Sequence, residues 1–252
     1  MSTEPPVLTR VEGNVVHVTL NRPHARNAIT LDLAAALRNA LSDAAVYADV
    51  IVIRGAGGHF CAGGDFHEVA RLREQGALRP LFETFIEACE LIADLPIPVV
   101  AAVEGVAMAG GFELIQSVDV AIVRDDAVLA DNHANFGLIP GGGGSQRLPR
   151  IVGTQRALGH LLTGDRISGS EAAAWGLVYR SVPPVAFEQS LAALVANLAG
   201  KDRAALGRIK HLVRAGLRGS LRDGLAMETT STLEHLAGDQ AGAGIARFRG
   251  TP

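Results

Sequence analysis

Residues 98–123, PVVAAVEGVAMAGGFELIQSVDVAIV, decide the fold class of this chain. The stretch opens with an apolar, β-branched run from Pro98 to Val103 and then crosses a glycine-rich turn. A short helix is expected to start near Gly110, and a second apolar strand follows from Val118 to Val123. Short apolar runs bounded by turn residues are typical of buried strands.

The glycine-rich turn also suggests chemistry. A helix that starts at Gly110 leaves its first amide N–H groups without intrahelical partners, and these donors suit a negative oxygen. Glu113 stands three residues later and would share the same helix face. An oxyanion donor beside a carboxylate is typical of enolate chemistry. Alternatively, Glu113 only compensates the helix dipole, although no Ser or Thr three residues earlier completes a capping box.

Strands and helices alternate through the first part of the chain, which predicts an α/β layer structure with a mostly buried sheet. Besides the two strands above, strands are predicted at 7–10, 14–20, 50–54 and near 128–130, and helices at 31–48, 65–75 and 81–93. From Gly153 onward, helices are predicted at 154–162, 169–174, 186–199, 201–215 and 220–236, with one short strand near 177–180. We therefore predict an α/β core over residues 1–190 and a helical C-terminal segment over 191–252.

Composition excludes several classes of protein. The net charge of −3 and the pI near 6.2 argue against a nucleic-acid binder, which usually has a basic face. No apolar run approaches the length of a membrane span, and the N-terminus lacks a signal-peptide pattern. Cys61 and Cys89 fit neither a metal site nor a disulfide framework, so we expect reduced thiols in a cytoplasmic protein. No metal or redox cofactor is expected.

Two further glycine-rich stretches could bind an anion. In HFCAGGDF, residues 59–66, a strand ends and a helix begins, and Asp65 followed by Glu68 matches a capping box. The Gly64 amide could then point into a cleft, or the stretch could be a plain strand-to-helix turn. Four glycines at 141–144 resemble an anion-binding nest but are equally consistent with a tight connection.

Together these stretches resemble the crotonase family, the enoyl-CoA hydratase/isomerase superfamily. The motifs that carry the resemblance follow the family's order: LNRPHARNAI (20–29), FCAGGDF (60–66), PVVAAVEGVAMAGGFEL (98–114), FGLIPGGGGSQRLPRIVG (136–153), LTGDRISGSEAAAWGLV (162–178) and GIARF (244–248). The resemblance covers most of the chain. It implies an α/β crotonase-like fold, a ClpP/crotonase spiral of ββα units, with a helical C-terminal trimerisation segment and assembly as a homotrimer or a dimer of trimers.

The resemblance also implies catalytic roles for particular residues. Family members bind an acyl-CoA thioester and stabilise its enolate with two backbone amides, which map to Gly64 and Gly110. Family hydratases use two glutamates, and the first maps to Glu113. The second position, seven residues before Pro140, holds His133 instead. His133 is expected to partner Glu113, although it could merely hydrogen-bond within its loop; Asp131 is a lesser candidate.

The implied coenzyme A contacts are less specific. They fall on His24, Ala25 and Arg26 in the entry loop and on Ala62, Gly63, Asp65, Phe66 and His67 around the first oxyanion glycine. The basic side chains of this set could instead be solvated surface charges. Arg247 and Phe248 are expected to close the pocket from the same or a neighbouring subunit. Acyl-chain preference is expected to depend on the packing of 67–95 and 132–140, including Phe82, Phe85 and Phe136.

The leading hypothesis is an enoyl-CoA hydratase that adds water to a 2-enoyl-CoA with a Glu113/His133 pair. The substrate is carried as a coenzyme A thioester, and no other cofactor is implied. Other crotonase chemistry, namely a C–C bond hydrolase of β-diketone type, a decarboxylase or an enoyl-CoA isomerase, stays open as an alternative. A third possibility is a CoA-binding protein without catalysis.

Overall fold

The computed structural model describes residues 4–238, 241–242, 245–246 and 248. The strands are β1 (Val7–Glu12), β2 (Val15–Leu20), β3 (Val50–Gly55), β4 (Val99–Val103), β5 (Val106–Met108), β6 (Val120–Arg124), β7 (Val128–Ala130), β8 (Ile167–Ser168) and β9 (Arg180–Val182). The α-helices are α1 (Leu31–Ala44), α2 (Phe66–Glu74), α3 (Arg79–Asp94), α4 (Gly110–Ile115), α5 (Gly144–Val152), α6 (Thr154–Thr163), α7 (Gly169–Ala174), α8 (Phe187–Ala199), α9 (Arg203–Gly216) and α10 (Leu221–Leu236).

The larger sheet has six strands in the order β1-β2-β3-β4-β6-β9. The β1–β2 hairpin is antiparallel, and the other neighbours are parallel. Parallel sheets have both faces covered, so their strands are apolar along their length. β4 fits this rule, because all five of its residues are buried. Helices α1 and α3 contribute to the core on one face, and α8 packs with Phe187, Leu191 and Val195 on the other.

The smaller sheet has three strands in the order β5-β7-β8. Sequence patterning predicts a turn at Val106–Met108, but this segment forms β5 because it pairs in parallel with β7. β8 pairs antiparallel with β7 and was also not predicted, since two residues carry no periodic signal. The second sheet places the start of α4 beside β7, and this arrangement positions the Gly110 turn.

Most predicted helices occur within a few residues of their expected ends. Helix α1 ends at Ala44 rather than at residue 48, because the chain tightens into a turn in which Tyr47 N–H donates to Ala44 O (3.2 Å). The predicted division at residue 190 falls inside α8, and α8 packs against the larger sheet.

No described helix is both long enough and apolar enough to cross a membrane.

Helix α9 is fixed to the sheet layer by a buried cation. Lys210 is 9% exposed. Its Nζ donates to Ile92 O (2.6 Å), Ile97 O (2.9 Å) and Asp119 Oδ2 (2.7 Å). Arg214 donates to the other Asp119 oxygen, Oδ1, at 3.0 Å. This network joins α9 to the end of α3 and to the segments that enter β4 and β6.

Candidate active site

A cavity of about 750 Å³ lies between α2, α3 and the loop that follows β7. Its lining residues are Ile29, Ala62, Gly64, Phe66, Val69, Ala70, Arg73, Leu78, Leu81, Phe82, Phe85, Ala109, Gly110, Glu113, Asn132, His133, Phe136, Gly137, Leu138, Ile139, Gly141 and Gly142. Most of these side chains are apolar. The cavity therefore brings Gly64, Gly110, Glu113 and His133 together.

The Gly64 N–H points away from the segment around Ile29, because the residues before and after Gly64 both form hydrogen bonds with Ile29. Ile29 N–H donates to Gly63 O (2.7 Å), and Asp65 N–H donates to Ile29 O (2.9 Å). In such a bridge the intervening residue points its own N–H to the opposite side. Within the described part of the chain, neither the Gly64 nor the Gly110 N–H donates a hydrogen bond. Both amides are available to a ligand oxygen.

The Gly110 amide is aimed by a strained residue just before it. Ala109 has φ 47° and ψ −116°, a sparsely populated conformation with positive φ that costs a non-glycine residue about 1–3 kcal/mol. Its N–H donates to Ala130 O on β7 at 2.9 Å, and its carbonyl accepts Glu113 N–H at 2.9 Å. These two hydrogen bonds fix the turn by which the chain passes from β5 into α4. A Cβ at Gly110 would stand 2.7 Å from Ile29 Cδ1, so a larger residue there would require the Ile29 side chain or the turn to shift.

Glu113 is 2% exposed and is held by the glycine-rich loop. Its Oε1 accepts the N–H groups of Gly142 (2.7 Å) and Gly144 (2.8 Å), so Oε2 is the oxygen left for the cavity. Burial raises the pKa of Glu113, while the Gly144 amide, the charge of His133 and the Gly142 amide oppose the shift. A carboxyl with a raised pKa is suited to exchange a proton near neutrality.

The nest of glycines at 141–144 thus binds an anion from its own chain. The sequence left open whether these glycines bind an anion or form a tight connection, and the structure shows that two of their amides hold the Glu113 carboxylate. The approach is too close for side chains. A Cβ at Gly142 would stand 2.8 Å from Glu113 Oε2, and one at Gly144 would stand 2.8 Å from Asp131 Oδ2.

His133 is oriented by Asp131, which is completely buried. His133 Nδ1 lies 2.5 Å from Asp131 Oδ1, and a carboxylate acceptor requires the proton on Nδ1. Nε2 is therefore the nitrogen left for the cavity. Burial alone would lower the pKa of His133, but the hydrogen bond and charge of Asp131, with the charge of Glu113, raise it overall. The structure thus gives Asp131 a positioning role rather than a place in the cavity.

The backbone of Asp131 is anchored by a second histidine that sequence reasoning missed. Asp131 N–H donates to His160 Nε2 at 3.0 Å, so the His160 ring is neutral with its proton on Nδ1. Burial lowers the pKa of His160, which favours that neutral form. The ring packs against Phe112 and Trp175 with centroids 5.0 and 5.6 Å apart. Because His160 lies 29 residues from Asp131 in sequence, no local pattern indicated this contact.

The entry loop, residues 20–29, is braced against the glycine-rich turn of residues 59–66. Arg22 forms an ion pair with Asp65 Oδ2 at 2.8 Å. Asn27 accepts Arg22 N–H at 2.9 Å and donates to Ala56 O (2.9 Å) and His59 O (2.7 Å). Asp65 also caps α2 by accepting Glu68 N–H at 3.2 Å. The predicted capping box is only half formed, because the Glu68 carboxylate accepts Leu31 N–H at 3.0 Å instead.

The residues expected to contact coenzyme A divide into two groups. Ala62 and Phe66 line the cavity, and Gly63 is buried beside it. Outside the cavity lining lie His24, Ala25, Arg26, Asp65 and His67. Among these, His24, Arg26 and His67 are exposed and Ala25 is half-buried. Arg247 lies outside the described residues, and Phe248 is exposed and does not line the cavity.

Phe82, Phe85 and Phe136 line the cavity. Arg73 and Asn132 line it as well and were not singled out from the sequence. A helical face at 69, 70 and 73 could have indicated Arg73, because residues three and four apart share one face. Throughout the residues that the structure describes, no group of three or more His, Cys, Asp or Glu side chains could hold a metal ion.

Comparison with known proteins agrees with this geometry. A family model described as enoyl-CoA hydratase/isomerase matches residues 10–251. A probable enoyl-CoA hydratase of Rhodobacter capsulatus is 37% identical over 219 residues, which cover 86% of this chain and 84% of that protein.

Solved structures give the same result. The crystal structure of an enoyl-CoA hydratase from Mycobacterium smegmatis has a TM-score of 0.93 and 32% identity, covering 97% of this chain and 96% of that one. A putative enoyl-CoA hydratase from Thermobifida fusca, solved in complex with acetoacetyl-CoA, has a TM-score of 0.84 and 30% identity, covering 92% and 95% of the two chains. The predicted crotonase-like α/β fold is confirmed, and this chain belongs to the enoyl-CoA hydratase/isomerase family.

Proposed function

We propose that this protein is an enoyl-CoA hydratase, a lyase that adds water across the double bond of a 2-enoyl-CoA. The observation that carries the proposal is the convergence of two free amides and two titratable side chains on one apolar cavity. Gly64 and Gly110 supply the amides, and Glu113 and His133 supply the proton-transfer groups. An acyl-CoA thioester is the substrate class that this set fits, since its carbonyl oxygen gains negative charge during the reaction.

Each group has one role in the addition. The water oxygen bonds to C3 while Glu113 Oε2 takes a water proton. The C2–C3 π pair then moves toward the thioester, and the carbonyl oxygen becomes an enolate held by the Gly64 and Gly110 amides. Re-formation of the carbonyl returns the pair to C2, which takes the proton of His133 Nε2. The proton on Glu113 must afterwards return to His133, by way of solvent, before the next turnover.

The charge state of His133 supports its role as the acid. Asp131 raises the pKa of His133, so the imidazolium persists to a higher pH than for an isolated histidine. Glu113 has its own pKa raised by burial, so it accepts a proton more readily than an exposed carboxylate. The raised pKa of His133 thus favours the protonated acid, and the raised pKa of Glu113 favours its acceptance of a proton.

We further propose that the entry loop and the first oxyanion turn hold the nucleotide part of coenzyme A. Exposed His24, Arg26 and His67 would meet its phosphates through charge-assisted contacts, and main-chain groups of residues 62–66 would meet the pantetheine. The Arg22–Asp65 pair supports this assignment indirectly, because it fixes the two segments to each other. The Thermobifida fusca relative has been solved in complex with coenzyme A, which supports the same ligand class here.

Steady-state hydration of crotonyl-CoA tests the proposal. The intact protein is expected to hydrate it, and His133→Ala is expected to lower kcat about 10²–10⁴-fold because the proton donor to C2 is lost. His211→Ala is a matched control, since His211 is exposed on α9 and does not line this cavity. Full activity in His133→Ala would make His133 a bystander.

The pH profile of the same reaction separates an electrostatic role of Asp131 from a structural one. Activity is expected to fall as pH rises through the raised pKa of His133, since the acid loses its proton. Asp131→Asn keeps the shape of the side chain but removes its charge, so the pKa of His133 should fall. The decline of activity at alkaline pH should then begin at a lower pH. A lower kcat with an unmoved alkaline decline would show that Asp131 only supports the loop.

Gly110 gives a test of the second oxyanion amide. In Gly110→Ala the new Cβ would stand 2.7 Å from Ile29 Cδ1, so the turn or the Ile29 side chain must shift. We expect kcat/KM for crotonyl-CoA to fall about tenfold to a hundredfold, because small misplacements of a donor are costly. Gly159→Ala is the control, since Gly159 is exposed on α6, does not line the cavity, and its added Cβ would meet nothing within 4 Å. Equal effects of the two substitutions would contradict this account.

The Asp131–His133 pair also favours a second candidate function, hydrolysis of a C–C bond in a β-keto thioester. A histidine held by a carboxylate activates water in many hydrolases, and the released carbanion would be an enolate held by the same two amides. Release of one carboxylic acid and one shortened acyl-CoA thioester from a β-keto thioester, without hydration of crotonyl-CoA, would select this reaction over the first.

We also propose that the chain assembles as a homotrimer or a dimer of trimers through its helical C-terminal segment. Large apolar side chains on α9, on α10 and in the turn between them support this proposal, because they are exposed in the single chain: Ile209, Val213, Leu217, Leu221, Leu225, Leu233 and Leu236. Contiguous exposed apolar surface commonly marks a protein interface. Light scattering coupled to size exclusion measures the subunit number directly.

A further inference from the structure

We propose that Arg73 binds an anionic group at the far end of the acyl chain, so that the preferred substrates are enoyl thioesters with an ω-carboxylate. This inference rests on the proposed function, because it assumes that the thioester carbonyl lies at Gly64 and Gly110. It concerns the end of the cavity that the reaction chemistry does not use.

The Arg73 guanidinium belongs to the side of the cavity formed by α2, here called the α2 wall, whose other lining residues are apolar. Phe66, Val69, Ala70 and Arg73 of α2 all line the cavity, and the last three lie on one helix face. Phe66 opens α2 directly after the Gly64 turn. At 1.5 Å per residue, the backbone of Arg73 lies about 10 Å farther along the helix axis than that of Phe66.

Residues of the neighbouring helix α3 also show which end of the cavity lies far from the Gly64 and Gly110 amides. A Cβ at Gly110 would stand 3.7 Å from Phe85 Cε1, so Phe85 marks the reaction centre. Leu78, Leu81 and Phe82 line the cavity from earlier positions in the chain. Leu78 follows the turn in which Gly76 N–H donates to Arg73 O at 3.1 Å. A chain that extends from the oxyanion amides along the α2 wall therefore ends near Arg73.

Arg73 forms no ion pair within the part of the chain that the structure describes. Arg71 on the same helix is different, because its guanidinium is 3.9 Å from the Glu68 carboxylate and donates to Gln75 Oε1 at 3.1 Å. A guanidinium presents paired donors that match a carboxylate. An acyl chain with a terminal carboxylate would thus supply apolar contact along the α2 wall and a charge partner at its end.

The test compares two series of 2-enoyl-CoA substrates of matched carbon number, one ending in a carboxylate and one in a methyl group. For at least one chain length, kcat/KM should be higher for the carboxylate, and Arg73→Leu should lower that preference by about tenfold or more. Arg73→Lys should retain part of the preference, and Arg71→Leu, the matched control, should leave it unchanged.

Two results would overturn the inference. One is an equal loss for both series in Arg73→Leu, which would place Arg73 on the coenzyme A phosphates. The other is the absence of any preference for the carboxylate in the intact protein. If no thioester is hydrated, the proposed function fails, but the inference can still be tested by binding.

Calorimetry then compares the dissociation constants of saturated acyl-CoA esters with and without the ω-carboxylate. Equal dissociation constants for the two esters, or a difference that Arg73→Leu leaves unchanged, would refute the role of Arg73.

Discussion

Glu113→Gln is expected to lower kcat for crotonyl-CoA hydration by about 10²–10⁴-fold, the range for loss of a general acid–base group. Glutamine has the shape of glutamate, and its Oε1 can still accept the N–H groups of Gly142 and Gly144. The amide then presented to the cavity cannot take a proton from water. Retention of full activity would exclude Glu113 as the base.

Measurements of the free energy of unfolding should show whether Glu113→Gln loses activity through its chemistry or through a less stable fold. Burial raises the pKa of Glu113, so the folded state binds this proton more tightly than the unfolded state does. The free energy of unfolding of the intact protein should therefore fall as pH rises from the usual glutamate pKa through the raised one, and Glu113→Gln should remove this part of the slope. Urea unfolding of both proteins at acidic and neutral pH measures it.

Glu113→Ala is the contrasting variant. It removes the acceptor of two buried amides, and each unsatisfied buried group costs about 1–3 kcal/mol. We expect it to be inactive like Glu113→Gln but clearly less stable. If the two variants unfold at the same urea concentration, the bonds from Gly142 and Gly144 contribute little to the fold.

Lys210→Met is expected to lower the free energy of unfolding by about 3 kcal/mol. Lys210 is buried, and its ammonium satisfies Ile92 O, Ile97 O and Asp119 together. Methionine fills the space but leaves these acceptors without the donor. The value is at the lower end of the range for a broken buried pair because Arg214 still binds Asp119.

Lys201→Met is the matched control, because Lys201 is the other lysine of the chain and is exposed. Exposed substitutions of this kind usually change stability by less than about 0.5 kcal/mol. Urea unfolding gives both values. Because the network lies outside the cavity, kcat of the folded Lys210→Met protein should match that of the intact protein. Equal stability of the two variants would show that the network is dispensable.

The sequence alone determined the features that depend on near neighbours in the chain. Apolar runs predicted β3, β4 and β6, because a buried strand must be apolar along its length. The spacing of Gly110 and Glu113 predicted a donor and a carboxylate on one short helix, since the helical repeat places residues three apart on one face. The Asp65 cap was predicted for the same local reason.

Only the tertiary structure decided which distant groups meet. Glu113 Oε1 binds the Gly142 and Gly144 amides, 29 and 31 residues away in sequence, and β5 forms only because β7 lies beside it. His133 and Asp131 are near in sequence, but the burial of Asp131 beside His160 fixes their hydrogen bond. Sheet and helix packing sets these distances. Sequence patterns encode hydrogen bonds within a helix or turn, whereas packing alone converts separate motifs into one site.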